Sequence, residues 1–418
     1  APYTIYLDFA GFNFTGTWGN SGESPGNTPA FENAGGSFTA SQQSDVSAIW
    51  ARVAQCYTPF NVNVTTIDPA TGAGMADTDA HRQAYYDRTR DMMHTVIGQQ
   101  QNSWCGPYGG ISYVGVDQYA YGTGGNGGAG AGWKTDWVFT EGVGTGVACA
   151  DAAAHENGHG LTLSHQSDYT GDTLTHEYSW GDNNNGNGTY APIMGAAYNT
   201  QRAAWRLGDS NNNSSNHIQN DPAVILSNPG IGGYVDDGIG HTLATATTMP
   251  LTGNTVNAAL AKGIITPTST DSPTPIGASN YTTDFFKFHA NGGTISLVAY
   301  DGSEFLTPGT PDPGAMLRST LTVLNVSGTV IGTAAEAAST QSETYSGTLP
   351  AGWYYAEVAS YGGHTQTLSN YNATSYYDMG SFFLSGSGLS APEPGTWAML
   401  LAIIGFGVVH RCRARRRE

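Results

Sequence analysis

The chain has 418 residues, only 11% of them charged, and a formal net charge of -18. That length exceeds a single hydrophobic core and implies two or three domains. The chain is acidic, with five of its fifteen basic residues at the extreme C-terminus as Arg411, Arg413, Arg415, Arg416 and Arg417, which argues against nucleic acid or an anionic membrane surface as partner, while scarce charge with abundant Gly, Asn, Ser and Thr suits an exported, β-rich protein.

Residues 3–9 (YTIYLDF) alternate in β-branched and aromatic side chains and read as an opening strand. After a Gly, Asn and Ser-rich loop to about residue 40, Ser44 or Asp45 caps a helix that carries Val46, Ile49, Trp50 and Val53 on one face. Strand 61–67, a polar helix over 76–92 and strands at 94–98, 111–115 and 136–140 follow. This order predicts α/β layers with the next helix behind the sheet. The loop 121–133 contains G-x-G-x-x-G at Gly122, Gly124 and Gly127, and nearly a phosphate loop, but Trp133 separates Gly132 from Lys134. Neither pattern sits in a strand-turn-helix unit, so a flap near a cleft is expected rather than a nucleotide site. Of the four cysteines, Cys56, Cys105, Cys149 and Cys412, the pair Cys105 and Cys149 is the preferred disulfide, with three reduced thiols in the first domain as the alternative.

The stretch 155–165, HENGHGLTLSH, carries the chemistry. On a helix His155 and His159 project one turn apart from the same face, open to one metal ion, and Glu156 can hold a water beside it and take its proton. His165 is a third nitrogen donor, leaving the open fourth position of a catalytic zinc site. The stretch resembles the metzincin metallopeptidases, H-E-x-x-H-x-x-G-x-x-H followed by a Met-turn, matching at His155, Glu156, His159 and His165. Thr162 stands where the family has glycine, and Gly160 lies two residues earlier. A continued helix would carry His165 about 9 Å further along, so either Gly160 breaks the helix early or Thr162 adopts a left-handed conformation. Glu177 is the alternative third ligand, as in thermolysin-like enzymes. The segment 191–195 resembles the Met-turn, which implies Met194 as a hydrophobic floor under the metal, and Tyr198 is a candidate to reach the oxyanion or the substrate. Two Asp and Asn-rich loops, 182–188 and 209–221, offer oxygens for calcium, with solvated turns as the alternative.

Residues 222–240 shift to Gly and Pro, and beyond them short alternating runs divided at Asn291-Gly292, Ser327-Gly328 and Ala351-Gly352 predict an antiparallel β-sandwich. D-F-F-K-F at Asp284 and L-P-A-G-W-Y-Y at Leu349 resemble pre-peptidase C-terminal domains, implying an accessory module without catalytic groups. At the end, Pro392-Glu393-Pro394 precedes an uncharged run from 395 to 409 and the arginine cluster. Fifteen helical residues span only about 22 Å against a hydrocarbon core of roughly 30 Å, and the arginines would hold the end on the cytoplasmic side. The order resembles the PEP-CTERM sorting signal, which implies an exosortase-type processing enzyme as partner; a permanent membrane anchor is the alternative.

The expected organisation is a catalytic domain at 1–225 of mixed α/β class, a linker at 226–240, a β-sandwich at 241–390 and a C-terminal hydrophobic helix at 391–418. The expected activity is that of an exported zinc endopeptidase acting on protein or peptide, held in the cell envelope or released from it. The alternative is a catalytically decayed surface-binding or matrix protein.

Overall fold

The structure, a computed structural model, describes residues 3–100, 104–119, 132–181, 190–198, 200–212, 217–266, 283–302, 314–336, 340–361, 365–366, 374–376 and 378–390. Nearly all of the expected flap, the loop 182–188 and the segment 391–418 with Cys412 lie outside them.

The first half is built on strand β1 (Tyr3–Asp8), whose alternation puts Tyr3, Ile5 and Leu7 in one core and Tyr6 in another. Helix α1 (Ala40–Tyr57) begins several residues before Ser44 because Thr39 caps it: Gln42 N donates to Thr39 Oγ1 at 3.3 Å and Gln42 Oε1 accepts from Thr39 N at 2.8 Å. Strand β2 (Val62–Thr65) and, after the short helix α2 (Asp79–Arg88), strand β3 (Met92–Gly98) lie parallel to β1 on either side. Strand β4 (Gly110–Ile111), all that forms of the strand expected at 111–115, is an antiparallel edge on β5 (Thr135–Phe139), which runs parallel to β3. Every residue of β3 and β5 is buried, as strands covered on both faces must be.

Helices α1 and α3 (Val147–Gly160) share a core with one face of this sheet through Ile49, Val53, Ala150, Ala153, Ile5, Met93 and Val138. The other face holds an aromatic cluster, with Trp18 edge-on to Trp137 at 5.3 Å between ring centres. Alanines let α3 approach closely, and Arg52 Nε on α1 donates to Asp151 Oδ1 on α3 at 2.6 Å. Tyr57 Oη donates to the Ala154 carbonyl at 2.8 Å, fixing the rotation of α3.

The chain's expected class is corrected. Among the described residues it is mostly β, with 39% in strands against 19% in helices, and no helix is long and apolar enough to cross a membrane. The excess of strand comes from the second half. Instead of short strands divided by turns, two 19-residue strands, Thr283–Asp301 and Ser342–Ser360, pair along their length within a ten-stranded sheet. The expected turns at Asn291-Gly292 and Ala351-Gly352 face each other across this ladder, where Gly292, Gly293 and Gly352 take positive φ and the pairing resumes beyond them. The register is unbroken across them, Asn291 opposite Ala351 and Gly293 opposite Leu349, so no residue is inserted and the ribbon continues. Ser327-Gly328 does form a turn, with Gly328 N donating to Asn325 O at 3.0 Å. Within the stretch expected as a linker, Ile231 and Tyr234 pack against the first core.

The two halves meet at buried charges. Arg202, fully buried beside the expected Met-turn, donates from Nη2 to Asp301 Oδ2 at 2.8 Å and to Glu336 Oε1 at 3.2 Å, and from Nε to the Leu317 carbonyl at 2.9 Å. Burial raises the Glu343 carboxyl so that it keeps its proton near neutrality, and Ser319 Oγ lies at 2.9 Å from it. Tyr190 Oη donates to Asp378 Oδ1 at 2.5 Å across the same seam. Arg202→Met would leave Asp301 and Glu336 facing each other without their shared cation. The expected cost is about 3–5 kcal/mol in urea unfolding, and a loss below about 1 kcal/mol would mean that Arg202 does not hold the seam together, Glu336 keeping Arg318 Nε at 3.1 Å.

Candidate metal centre

On α3, His155 and His159 stand one turn apart with ring centres 4.8 Å from each other. A backbone carbonyl fixes each ring: His155 Nδ1 donates to Ile193 O at 2.8 Å and His159 Nδ1 donates to Leu163 O at 2.7 Å. A carbonyl only accepts, so the proton sits on Nδ1 and the Nε2 lone pair faces the opposite way. Burial, reinforced by the neighbouring histidines, holds His155 well below the usual imidazole range, and burial does the same for His159. Both rings are therefore neutral and able to ligate.

His165 returns to these two because the helix ends in a Schellman turn. Thr162 N donates to His159 O at 2.8 Å, Leu163 N donates to Gly158 O at 3.0 Å, and Thr162 takes φ +79°. Of the two possibilities left open by the sequence, Thr162 thus occupies the left-handed position itself, at a cost of about 1–2 kcal/mol. Gly160 is needed for another reason: a Cβ there would press on the Met93 side chain. His165 Nε2 comes within 3.1 Å of His159 Nε2, and the ligand atoms of His155, His159 and His165 lie within 4.8 Å of one another. Among the described residues this is the one group of three or more His, Cys, Asp or Glu donors close enough to hold a metal ion.

Glu177 does not join it. Its Oε1 accepts from His165 Nδ1 at 3.0 Å, on the side of the ring away from the cluster, so it orients His165 instead of replacing it. Asn211 braces the same residue, its Oδ1 accepting from His165 N at 3.0 Å. Burial lowers His165 to about 3. Glu156 is buried beside the cluster, and burial with the nearby Asp136 raises its carboxyl well above the usual range.

Met194 is fully buried, and its sulfur occupies the space that a Cβ on Gly158 would take. The residue before it supplies the carbonyl that fixes His155, and Gly195 N donates to Pro192 O at 2.9 Å to close the turn. Tyr198 lines a cleft of about 620 Å³ whose floor is His155, Glu156, His159 and His165. Tyr178, which carries no spacing signal of its own, packs its ring at 4.3 Å from that of His165. Only the downstream position of Glu177, next to it, pointed there.

The expected Cys105–Cys149 bridge is absent, and both thiols are free. Cys149 belongs to the helix-side core, whereas Cys105 packs against the aromatic cluster on the opposite face of the sheet, where Gln100 Nε2 donates to its sulfur at 3.0 Å. In the loop 209–221, Asp221 is taken up by Gln166 and Gln219 at 2.7 and 2.9 Å, leaving it no role at a calcium site.

No protein-family model and no curated protein matches the chain. Among solved structures, the pre-peptidase C-terminal domain of a Bacillus anthracis collagenase is 16% identical over 34% of this chain and 93% of that domain, with a TM-score of 0.19. PliG of Aeromonas hydrophila, a periplasmic inhibitor of g-type lysozyme, is 14% identical over 34% of this chain and 95% of its own, at 0.18. These likenesses are too weak to carry an argument, and the functional reading rests on the site.

Thr162→Gly removes the left-handed strain but adds about 0.5–1 kcal/mol of unfolded-state entropy. The expected net effect is neutral or stabilising by less than about 1 kcal/mol in thermal unfolding, with the metal retained; a clear destabilisation would mean that Thr162 is not strained. The histidines give a pH dependence. A residue whose folded pKa lies below its unfolded value binds more protons when unfolded, so stability falls as pH drops below the unfolded value near 6.5. Metal-free protein is expected to lose stability relative to His165→Asn from about pH 6.5 down to about 3, measured as the difference between their denaturation midpoints.

Proposed function

We propose that this protein is a zinc-dependent endopeptidase. The observation that carries the reading is the convergence of three imidazole Nε2 atoms, two of them with tautomers fixed by backbone carbonyls, beside the buried carboxyl of Glu156. The donor set fits zinc: three neutral nitrogens, no thiolate and an open side toward the cleft. His155, His159 and His165 would hold the ion, which when bound supplies Lewis-acid polarisation of the scissile carbonyl and an acidified water. Glu156 is the general base that takes the water's proton and delivers it to the leaving amine. A nearby cation would draw its raised pKa back down, since opposite charge favours the carboxylate. Glu177 and Asn211 keep His165 turned inward, and Met194 packs the underside of the helix at Gly158. Export and C-terminal processing are inferred from residues 391–418 by sequence alone.

The test is metal content together with hydrolysis of unfolded casein. One zinc per chain is expected in wild type and in Glu156→Gln, with hydrolysis at least about 100-fold slower in the variant. If both hold zinc and neither cleaves, the decayed binding protein is the better reading. If neither holds a metal, the peptidase reading fails.

A further inference from the structure

The cleft above the histidines differs in character from the rest of the surface. The chain is strongly acidic, yet among the described residues the cleft's side chains are uncharged apart from Glu156 and the histidines. Its walls are Tyr108, Ile111, Val114, Tyr178, Trp180 and Tyr198. Tyr108 is 54% exposed, Val114 53%, Tyr178 42% and Trp180 45%. Large apolar groups left open to water and gathered around one concavity mark a binding surface, unlike single exposed ones such as Ile67 or Leu260.

The aromatic wall is also held in place before any ligand arrives. Tyr178 rests on His165 with ring centres 4.3 Å apart, and Trp180 stacks on His176 at 5.4 Å with 21° between planes. Rings already fixed lose little freedom on binding. A carboxylate seated against this wall would give up its hydration to aromatic and apolar faces, with no cationic side chain among the described wall residues to meet it, and would approach against the field of a chain of net charge -18. A lysine would be drawn by that field but would exchange its hydration for aromatic faces.

We infer that the site selects extended peptides by a bulky apolar or aromatic side chain seated against Tyr178 and Trp180, and rejects peptides with an acidic residue at that place. This rests on the peptidase reading for its substrate class, but the selectivity itself is a property of the wall.

The experiment uses three labelled peptides of alanine and glycine that differ at one central position, carrying phenylalanine, lysine or glutamate. Binding is followed by fluorescence anisotropy to zinc-loaded Glu156→Ala, so that no peptide is consumed. The phenylalanine peptide is expected to bind at least about tenfold more tightly than the glutamate peptide, with lysine between them. Trp180→Ala in the same background should bring the ratio close to one, and Tyr108→Ala serves as a second exposed position should the first variant misfold. Equal affinities, tighter binding of the lysine or glutamate peptide, no binding of any of the three, or a ratio that survives both wall variants would overturn the inference. Incubation of the same peptides with wild type separates the two proposals. Selective binding without cleavage removes the peptidase and keeps the recognition; cleavage of all three at equal rates does the reverse.

Discussion

The histidine cluster depends on a change of chain direction within six residues. A helix continued past His159 would carry His165 away from its neighbours, and only a residue at positive φ turns the backbone sharply enough to bring it back. Thr162 does this at φ +79° with both Schellman hydrogen bonds in place. The strain is of order 1–2 kcal/mol, small beside the packing that surrounds it. The turn sits in a core where Leu161 and Leu163 are buried on either side of Thr162, so the burial of those two side chains holds the threonine in a conformation it would not choose in a free peptide.

A second constraint acts from below. The segment that carries Ile193 and Met194 is bounded by Tyr190 and Arg202, and both of these side chains are bound to acids of the second half, Asp378 and Asp301. The Ile193 carbonyl sets the tautomer of His155. The β-rich half is therefore mechanically continuous with the floor of the cluster, through a seam whose ion pairs are buried and hence intolerant of losing one partner. An accessory module tethered by a loose linker would show none of this, and Ile231 and Tyr234 packing on the first core leaves little slack between the halves.

Much of the site was legible in the sequence because it rests on local geometry. The four-residue spacing of His155 and His159 requires a shared helix face, and alternation in 3–9 and 284–290 requires strands with one side buried. The sequence narrowed the turn that the third histidine depends on to Gly160 or Thr162, and the structure puts it at Thr162. What the sequence left open were matters of distance between segments far apart along the chain. Glu177 could ligate or orient; only the path of the backbone after Thr162 puts it behind His165. Cys105 and Cys149 could pair until the sheet places them on opposite faces.

By itself, the sequence determined the spacing of the donors, the periodicity of the strands and the uneven distribution of charge, since each follows from covalent order and the repeat of a helix or a strand. Tertiary structure alone decided that two glycine-bearing stretches, 291–293 and 351–352, lie within one long ribbon instead of ending strands, because glycine serves a turn and a strand interior alike and only what lies across the ladder distinguishes them. It also decided that Tyr108, from one loop, and Tyr178 and Trp180, from another, form one wall over the histidines. No local propensity encodes such a meeting; it follows from how the sheet, the helix and the seam fix the positions of the loops between them.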